Sequence, residues 1–273
     1  MEATVTSTRP SEASPPGVEA STDLQIFLPE ADGDQRLDQD EEWCEALVDG
    51  KRMRIRFHDY HRIYDIPGMY ERIFYDVLEC SSPRTVRDLL ARVLDEQGMK
   101  ASDLRVLDVG AGNGMVGEEI RGLGVDTIHG VDIIDEAAAA AGRDRPDIYD
   151  DYVVADLTAL APAQRESLVA ADLNTMTTVA ALGFGDMPPA AFAAAFNLIG
   201  TPGLLVFNIK EDFVSADDPS GFNTMIQRMF DEKVIVPLAE EHYRHRLSVR
   251  GEPLHYLAFV ARKLADIPDS WLG

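Results

Sequence analysis

The stretch Val106-Leu-Asp-Val-Gly-Ala-Gly-Asn-Gly114 decides the fold. It begins as the apolar run of a buried strand and passes directly into glycines. Gly110, Gly112 and Gly114 let the backbone turn sharply while a ligand lies against it, because a side chain there would occupy the ligand's place. A loop of this kind belongs at the carboxyl end of a strand, where open α/β sheets bind their ligands.

Downstream of the loop the pattern alternates regularly. A strand over 105–109 is followed by a helix over 113–121, and a strand over 127–131 by an alanine-rich helix over 136–142. A strand over 152–155 precedes a helix over 162–171. A fourth strand, 173–180, precedes a helix over 189–198, and Thr201-Pro-Gly203 turns into a fifth strand over 204–209. Strands and helices at this spacing imply right-handed crossovers and a doubly wound, mainly parallel α/β sheet. The alternation then breaks. After a helix near 220–230, strand-like runs at 243–249 and 254–261 flank Arg250-Gly-Glu-Pro253, which predicts an antiparallel hairpin at the end of the sheet.

Upstream, residues 1–22 are rich in Ser, Thr, Pro and Glu and are expected to be disordered. Residues 43–57 read as a hairpin. Met53, Ile55 and Phe57 alternate with Arg52, Arg54 and Arg56, and Asp49-Gly50 stands where a two-residue turn is needed. A helical stretch dense in aromatics, 58–78, is interrupted at Pro67-Gly68. A helix over 83–97 follows, with Ser81 and Ser82 as candidate caps and Gly98 as its stop. The apolar patch Leu24-Gln-Ile-Phe-Leu28 and the hairpin are expected to cover either a pocket or a second copy of the chain, so a homodimer is one arrangement the sequence admits.

Composition narrows the partners. Among 273 residues, 25 are Lys or Arg and 48 are Asp or Glu, a formal charge of −23. Such a surface repels phosphate backbones and anionic membranes, so neither nucleic acid nor a membrane is an expected partner. Cys44 and Cys80 form no disulfide framework, no apolar run is long enough to span a membrane, and the first residues do not read as a signal peptide. A cytoplasmic protein is the expectation.

The glycines also spell G-x-G-x-x-G at 112, 114 and 117, a pattern shared with dinucleotide sites. Asp108 speaks against that reading. Its carboxylate would face a pyrophosphate, whereas it suits the ammonium end of an amino-acid-like cofactor such as S-adenosylmethionine. Asp132, ending His129-Gly-Val-Asp132, is placed to take both ribose hydroxyls. Asp156, ending Val153-Val-Ala-Asp156, suits an adenine amino group, with Ile133 and Leu157 on the ring faces. Each acid alone reads more readily as a helix cap; three at successive strand ends, beside the loop, point to a cofactor. Gly110, Ala111, Gly112, Asn113, Gly114 and Thr178 complete the expected cofactor contacts, together with Tyr64.

These motifs resemble the class I S-adenosylmethionine-dependent methyltransferases over residues 64–263. The resemblance implies a seven-stranded, Rossmann-like sheet whose final strand is antiparallel. Within that class the likeness is to the small Williams–Beuren-region methyltransferase-like proteins, carried by Tyr64-Asp65, Tyr70-Glu71 (where the family has a second Tyr-Asp), Ser82-Pro-Arg84, Val179-Ala-Ala-Leu182-Gly and Thr201-Pro-Gly203. It implies a core over 101–264 and a helical lid over 58–100 that folds across the cofactor. An appendage over 23–57 and a tail over 265–273 flank them. S-adenosyl-L-homocysteine would be the product.

Methyl transfer from a sulfonium asks mainly for alignment and exclusion of water, so no triad is required. Tyr60 and Tyr64, with Asp59 and His61, are the expected catalytic residues, since Tyr faces and hydroxyls can stabilise positive charge at the methyl. Packing on the sheet is the competing role for such aromatics. The pairs His58/His61 and His242/His245 lack zinc-type companions, so no metal is expected. Glu211 and Asp212 stand after the fifth strand, within possible reach of an amine. The acceptor is expected to be a small molecule with a nitrogen, sulfur or oxygen nucleophile. A nicotinamide-dependent oxidoreductase and a non-catalytic S-adenosylmethionine-binding module remain the alternatives.

Overall fold

The computed structural model describes residues 24–29, 37–183, 185–211 and 221–272. The expected disorder over 1–22, and Asp212, lie outside the described residues. The body is a seven-stranded sheet built from β4 (Arg105–Val109), β5 (Thr127–Asp132), β6 (Asp151–Val154), β7 (Thr175–Thr178), β8 (Gly203–Lys210), β9 (Ile235–Leu247) and β10 (Pro253–Lys263). Their order is β6-β5-β4-β7-β8-β10-β9. Neighbours are parallel from β6 to β8, while β10 runs antiparallel to both β8 and β9. The chain moves outward from β4 to β6 and then returns beside β4 as β7. That reversal opens a crevice at the carboxyl ends of β4 and β7.

Alternating side chains along the strands supply two cores. Leu107 and Val109 of β4 join Phe192, Phe196, Phe207 and Phe222 on one face. Val106 of the same strand joins Val86, Leu90, Ile120 and Val260 on the other. The first of these faces is covered by α7 (Pro189–Phe196) and α8 (Phe222–Asp231), the second by α3 (Ser82–Gln97) and α4 (Met115–Gly122). The fold class, a doubly wound sheet closed by an antiparallel hairpin, is as the alternation predicts.

Two local expectations change. Strand β9 is nearly twice as long as the predicted 243–249, because Pro237 and Glu240-Glu241 disguise its first half. At the edge of a sheet a missing N–H and charged side chains are tolerated. Ser81 and Ser82 do not cap α3. The Ser81 hydroxyl donates to the Arg244 carbonyl at 2.7 Å, and Ser82 is fully buried in a polar network beneath β9.

The N-terminal part is a three-stranded sheet, β1 (Gln25–Phe27), β2 (Trp43–Val48) and β3 (Lys51–Arg56), in that order. Asp49 and Gly50 both have positive φ, 49° and 75°, which gives the tight turn its favoured twist. Ile55 and Phe57 are buried and Arg52, Arg54 and Arg56 exposed, so the period of two holds. Leu24, Ile26 and Leu28 pack against a third core made with Phe57, Ile63, Ile73 and Phe74. That core joins the sheet to the helical entry segment, α1 (Tyr60–Asp65), α2 (Met69–Glu71) and a π-helical turn over Arg72–Val77. Gly68, in the left-handed region, breaks the segment as expected.

A buried ion pair ties this part to the C-terminal hairpin. Arg246 Nη2 lies 2.6 Å from Glu42 Oε2, with the two side chains 4% and 2% exposed. Glu42 Oε1 also accepts the Val249 N–H at 2.8 Å. Removing one partner leaves the other charge buried and uncompensated, a cost of about 3–5 kcal/mol. Glu42→Ala should therefore lose about that much stability in denaturant unfolding. A loss of under ~1 kcal/mol would show that the pair does not hold the appendage.

Candidate functional site

Gly110, Gly112 and Gly114 all adopt left-handed backbone, with φ of 71°, 54° and 89°. The turn they make carries the chain from β4 into α4. At Gly112 a Cβ would stand 2.5 Å from the Tyr64 hydroxyl oxygen, so the loop is bare where the entry segment crosses it. Gly117 and Gly130 serve a different purpose. A Cβ at either would come within 2.9 Å of the Tyr149 or Tyr152 ring. The third glycine of the G-x-G-x-x-G pattern thus makes room for a tyrosine, and its presence says nothing of a pyrophosphate.

The strand-end acids have three different environments. Asp132 lines the crevice. Its carboxylate accepts the Gly112 N–H at 2.9 Å and the Ile134 N–H at 3.1 Å. Burial raises its pKa, and the backbone donors pull it down. Asp156 is exposed beside the same crevice. One of its oxygens accepts the Thr158 N–H and hydroxyl at 2.8 and 2.6 Å, a cap that lowers its pKa and uses only half of the carboxylate.

Asp108 departs from the expectation. It is 1% exposed, and its oxygens are held by the Tyr149 hydroxyl and the Thr177 hydroxyl, each at 2.7 Å. It shares the sheet face of Val106, beneath the loop, and borders neither cavity of the crevice. Thr178, fully buried within β7, also stays clear of both, as does Gly114.

The entry segment splits its expected residues. Tyr60 and Tyr64 are one helical turn apart on α1 and both line the crevice. Their rings stack at 6.1 Å, and Tyr64 stacks on Tyr70 at 5.2 Å. Asp59 and His61 do not join them. Asp59 precedes the helix and turns outward, accepting the Arg56 N–H at 3.2 Å beside Arg62. His61, rotated roughly 100° from Tyr60 on the helix, is exposed. Helix geometry allows only one side of α1 to face inward.

Together these residues border two adjoining cavities that share Tyr60, Tyr64, Tyr70, Gly110, Val179, Ala180 and Asp186. The outer cleft is walled by Asp132, Ile133, Asp156 and Leu157. Ile133, 64% exposed, stands there without packing partners over much of its surface. The inner cavity runs from Ala111, Gly112 and Asn113 to Gln39, Cys80, His245 and Tyr256. Among the described residues no cluster of three metal-binding side chains occurs, and no helix is long and apolar enough to cross a membrane. Glu211 pairs with His242 at 2.8 Å on an exposed edge.

Several participants escaped the sequence reading. Glu71 Oε1 accepts from Asn113 Nδ2 and from Arg145 Nη1, both at 2.7 Å, and so latches the entry segment to the glycine loop. Arg145 also reaches Glu118 at 2.7 Å. His58 Nδ1 meets Asp186 at 3.1 Å at the mouth. Tyr149 and Tyr152 brace the loop from below, the latter donating to the Gly112 carbonyl at 2.8 Å. The Tyr70-Glu71 dipeptide was the one available signal for the latch; the others are unions of residues far apart in sequence.

Burial pushes Asp108 up to about 6, its two hydroxyl donors only partly offsetting the loss of water. Its folded pKa exceeds the unfolded value, so its ionisation destabilises the fold. The penalty is absent below pH ~4 and complete above pH ~6, reaching about 3 kcal/mol. Asp108→Asn keeps an acceptor and a donor for the two hydroxyls. It should melt higher than the native protein at pH 8, with the gap closing towards pH 4. A gap independent of pH in thermal melts would refute this account.

A methyltransferase domain model matches residues 81–247, which holds the glycine loop, all three acids and most of the sheet. No curated protein sequence matches the chain. Among solved structures, N-methyltransferase NodS from Bradyrhizobium japonicum WM9, in complex with S-adenosyl-L-homocysteine, is similar at 13% identity and TM-score 0.53, covering 76% of this chain and 97% of that one. An S-adenosylmethionine-dependent methyltransferase from Clostridium acetobutylicum ATCC 824 is similar at 10% identity and TM-score 0.49, covering 72% and 96%. Magnesium protoporphyrin IX methyltransferase from Synechocystis PCC 6803, with bound S-adenosylmethionine, is similar at 14% identity and TM-score 0.45, covering 66% and 79%. NodS shares the fold, and the domain match, which spans more than half of the residues, places the chain in the methyltransferase domain family.

Proposed function

We propose that the chain is a class I S-adenosylmethionine-dependent methyltransferase that methylates a nitrogen, sulfur or oxygen nucleophile of a small molecule. The observation that carries this reading is the outer cleft. Asp132 stands at the end of β5 with its carboxylate beside the glycine loop, Ile133 and Leu157 offer apolar faces, and Asp156 keeps one oxygen unused. That set fits a nucleoside: a carboxylate for vicinal hydroxyls, two apolar faces for a ring and an acceptor for its amino group.

The charges about the loop favour an amino-acid-like end over a pyrophosphate. Glu71 and Glu118 share Arg145 at the start of α4, so the helix terminus that would hold a phosphate already has carboxylates around it. The likeness to the Williams–Beuren-region proteins, resting on Tyr64-Asp65 and Ser82-Pro-Arg84, belongs to this reading and bears on the lid.

Bound S-adenosylmethionine would supply a sulfonium methyl whose carbon–sulfur bond breaks with the electron pair left on sulfur. The chain's part is alignment. Tyr60 and Tyr64 stand where both cavities meet, so a methyl held there faces the inner cavity across their rings. Tyrosine faces stabilise positive charge, and the enclosed tyrosine cluster excludes water from the line of attack. A proton that must leave the acceptor has the His58–Asp186 pair at the same junction.

Calorimetric titration with S-adenosyl-L-homocysteine should give micromolar or tighter binding, while NADH and NADPH give none. Asp132→Ala should weaken the homocysteine analogue about 10- to 100-fold, the worth of hydrogen bonds to a carboxylate. Undiminished binding by Asp132→Ala would overturn the site, and preferential binding of NADH would overturn the reading.

A further inference from the structure

Strand β9 carries a bulge where it borders the inner cavity. Its register steps from Arg244 opposite His255 to Arg246 opposite Leu254, leaving His245 with no cross-strand partner. The extra residue breaks the in-and-out alternation. His245 and Arg246, adjacent in sequence, are therefore both buried, 4% and 3% exposed, and both line the cavity.

The proton positions around His245 follow from counting donors. The Ala180 N–H donates to Asn208 Oδ1 at 2.6 Å, which turns Asn208 Nδ2 towards Ser82 Oγ at 3.1 Å and Tyr243 Oη at 2.7 Å. Ser82 Oγ lies 2.6 Å from both the Tyr243 hydroxyl and His245 Nδ1. Were Nδ1 protonated, either the serine or the tyrosine proton would be left with only the weakly accepting Cys80 thiol, whose sulfur lies 3.9 Å from Nδ1, which is costly in this buried network. The assignment that gives both hydroxyl protons strong acceptors is that Tyr243 donates to Ser82, Ser82 donates to Nδ1, and the imidazole hydrogen is on Nε2. Burial and the Arg246 charge hold His245 well below its ordinary pKa, so it is neutral.

Beside it stands Gln39. Its amide nitrogen donates to the Tyr256 hydroxyl at 2.8 Å, and the Tyr256 ring lies 4.0 Å from that of His245. Gln39 is 9% exposed, lines the same cavity, and its carbonyl oxygen is buried with no partner among the described residues. One end of the cavity therefore offers an N–H donor and a carbonyl acceptor, both set against Tyr256. The charged groups that line it are already paired, Arg246 with Glu42 and Asp186 with His58. A charged ligand would find no free counter-charge there.

We propose that the inner cavity is the methyl-acceptor subsite and takes a small uncharged molecule with an amide or lactam edge, its carbonyl on His245 Nε2–H and its N–H on the Gln39 carbonyl. This rests on the outer cleft being the S-adenosylmethionine site. The Ser82–Tyr243–Asn208 network acts through His245, fixing which nitrogen faces the ligand.

The test uses the full chain, labelled with ¹⁵N-histidine and saturated with S-adenosyl-L-homocysteine. The His245 signal should show a bare Nδ1 and a protonated Nε2 between about pH 6 and 8. 2-Pyridone, a neutral lactam, should bind saturably at millimolar concentration and shift the Nε2–H resonance, while acetate and methylammonium should not. His245→Phe should weaken 2-pyridone about tenfold, and His245→Gln, which keeps an N–H donor, should restore most of the loss. An Nδ1-protonated or charged imidazole, tighter binding of either ion, an unchanged affinity in His245→Phe, or no binding of 2-pyridone would each overturn the proposal. Failure of the homocysteine analogue to bind the native chain would instead strike the cofactor reading, so the two failures are distinguishable.

Discussion

The structure depends on the missing side chain at Gly112. The Tyr64 hydroxyl lies where a Cβ would otherwise be, so the entry segment can press directly onto the backbone of the loop. Around this contact the neighbouring interactions fall into place. Glu71 holds Asn113 and Arg145, Tyr152 supports the Gly112 carbonyl from below, and Asp132 takes the Gly112 N–H. A loop gripped from three sides is preorganised, and a ligand settling against it loses less freedom than one that must order the loop.

Buried charge is the second organising constraint. In a chain of formal charge −23, Asp108 and Glu42 are the buried acids among the described residues, each within 2% of full burial. Each has a different remedy. Glu42 has a full counter-charge in Arg246. Asp108 has only neutral hydroxyls and answers by holding its proton more tightly. The carboxylate expected to greet the cofactor's ammonium therefore works from beneath. It fixes Tyr149, whose ring sits against Gly117 and Gly130, and so sets the shape of the loop above.

The parts legible in the sequence share a cause. The sheet, the glycine loop, the acid at the end of β5 and the hairpin at 43–57 are each written within a few residues by periodicity or turn chemistry. The first half of β9 was not, because an edge strand may carry Pro237 and paired glutamates without losing its ladder. Ser82 looked like a cap because a serine before a helical run usually is one. Its burial follows from β9 passing over it, a contact between residues more than 160 positions apart. Asp59 and His61 neighbour Tyr60 in sequence, but Asp59 precedes the helix and turns back to Arg56, and the helix sends only His61 outward.

The two halves of the crevice have unequal origins. The outer cleft, proposed above to hold the nucleoside, is built mainly from residues between 109 and 191, at strand ends and turns that short motifs mark. The inner cavity is assembled from the appendage, the entry segment, the start of α3 and the terminal hairpin; Gln39–Tyr256 and Glu42–Arg246 tie the appendage to the hairpin, and Ser82–His245 ties α3 to it. None of these pairs is local, and none has a pattern of its own. A bulge of one residue in β9 lets His245 and Arg246, adjacent in sequence, both face the cavity. The cofactor half can therefore be read from a motif, while the acceptor half has to be read from hydrogen-bond accounting in the folded chain.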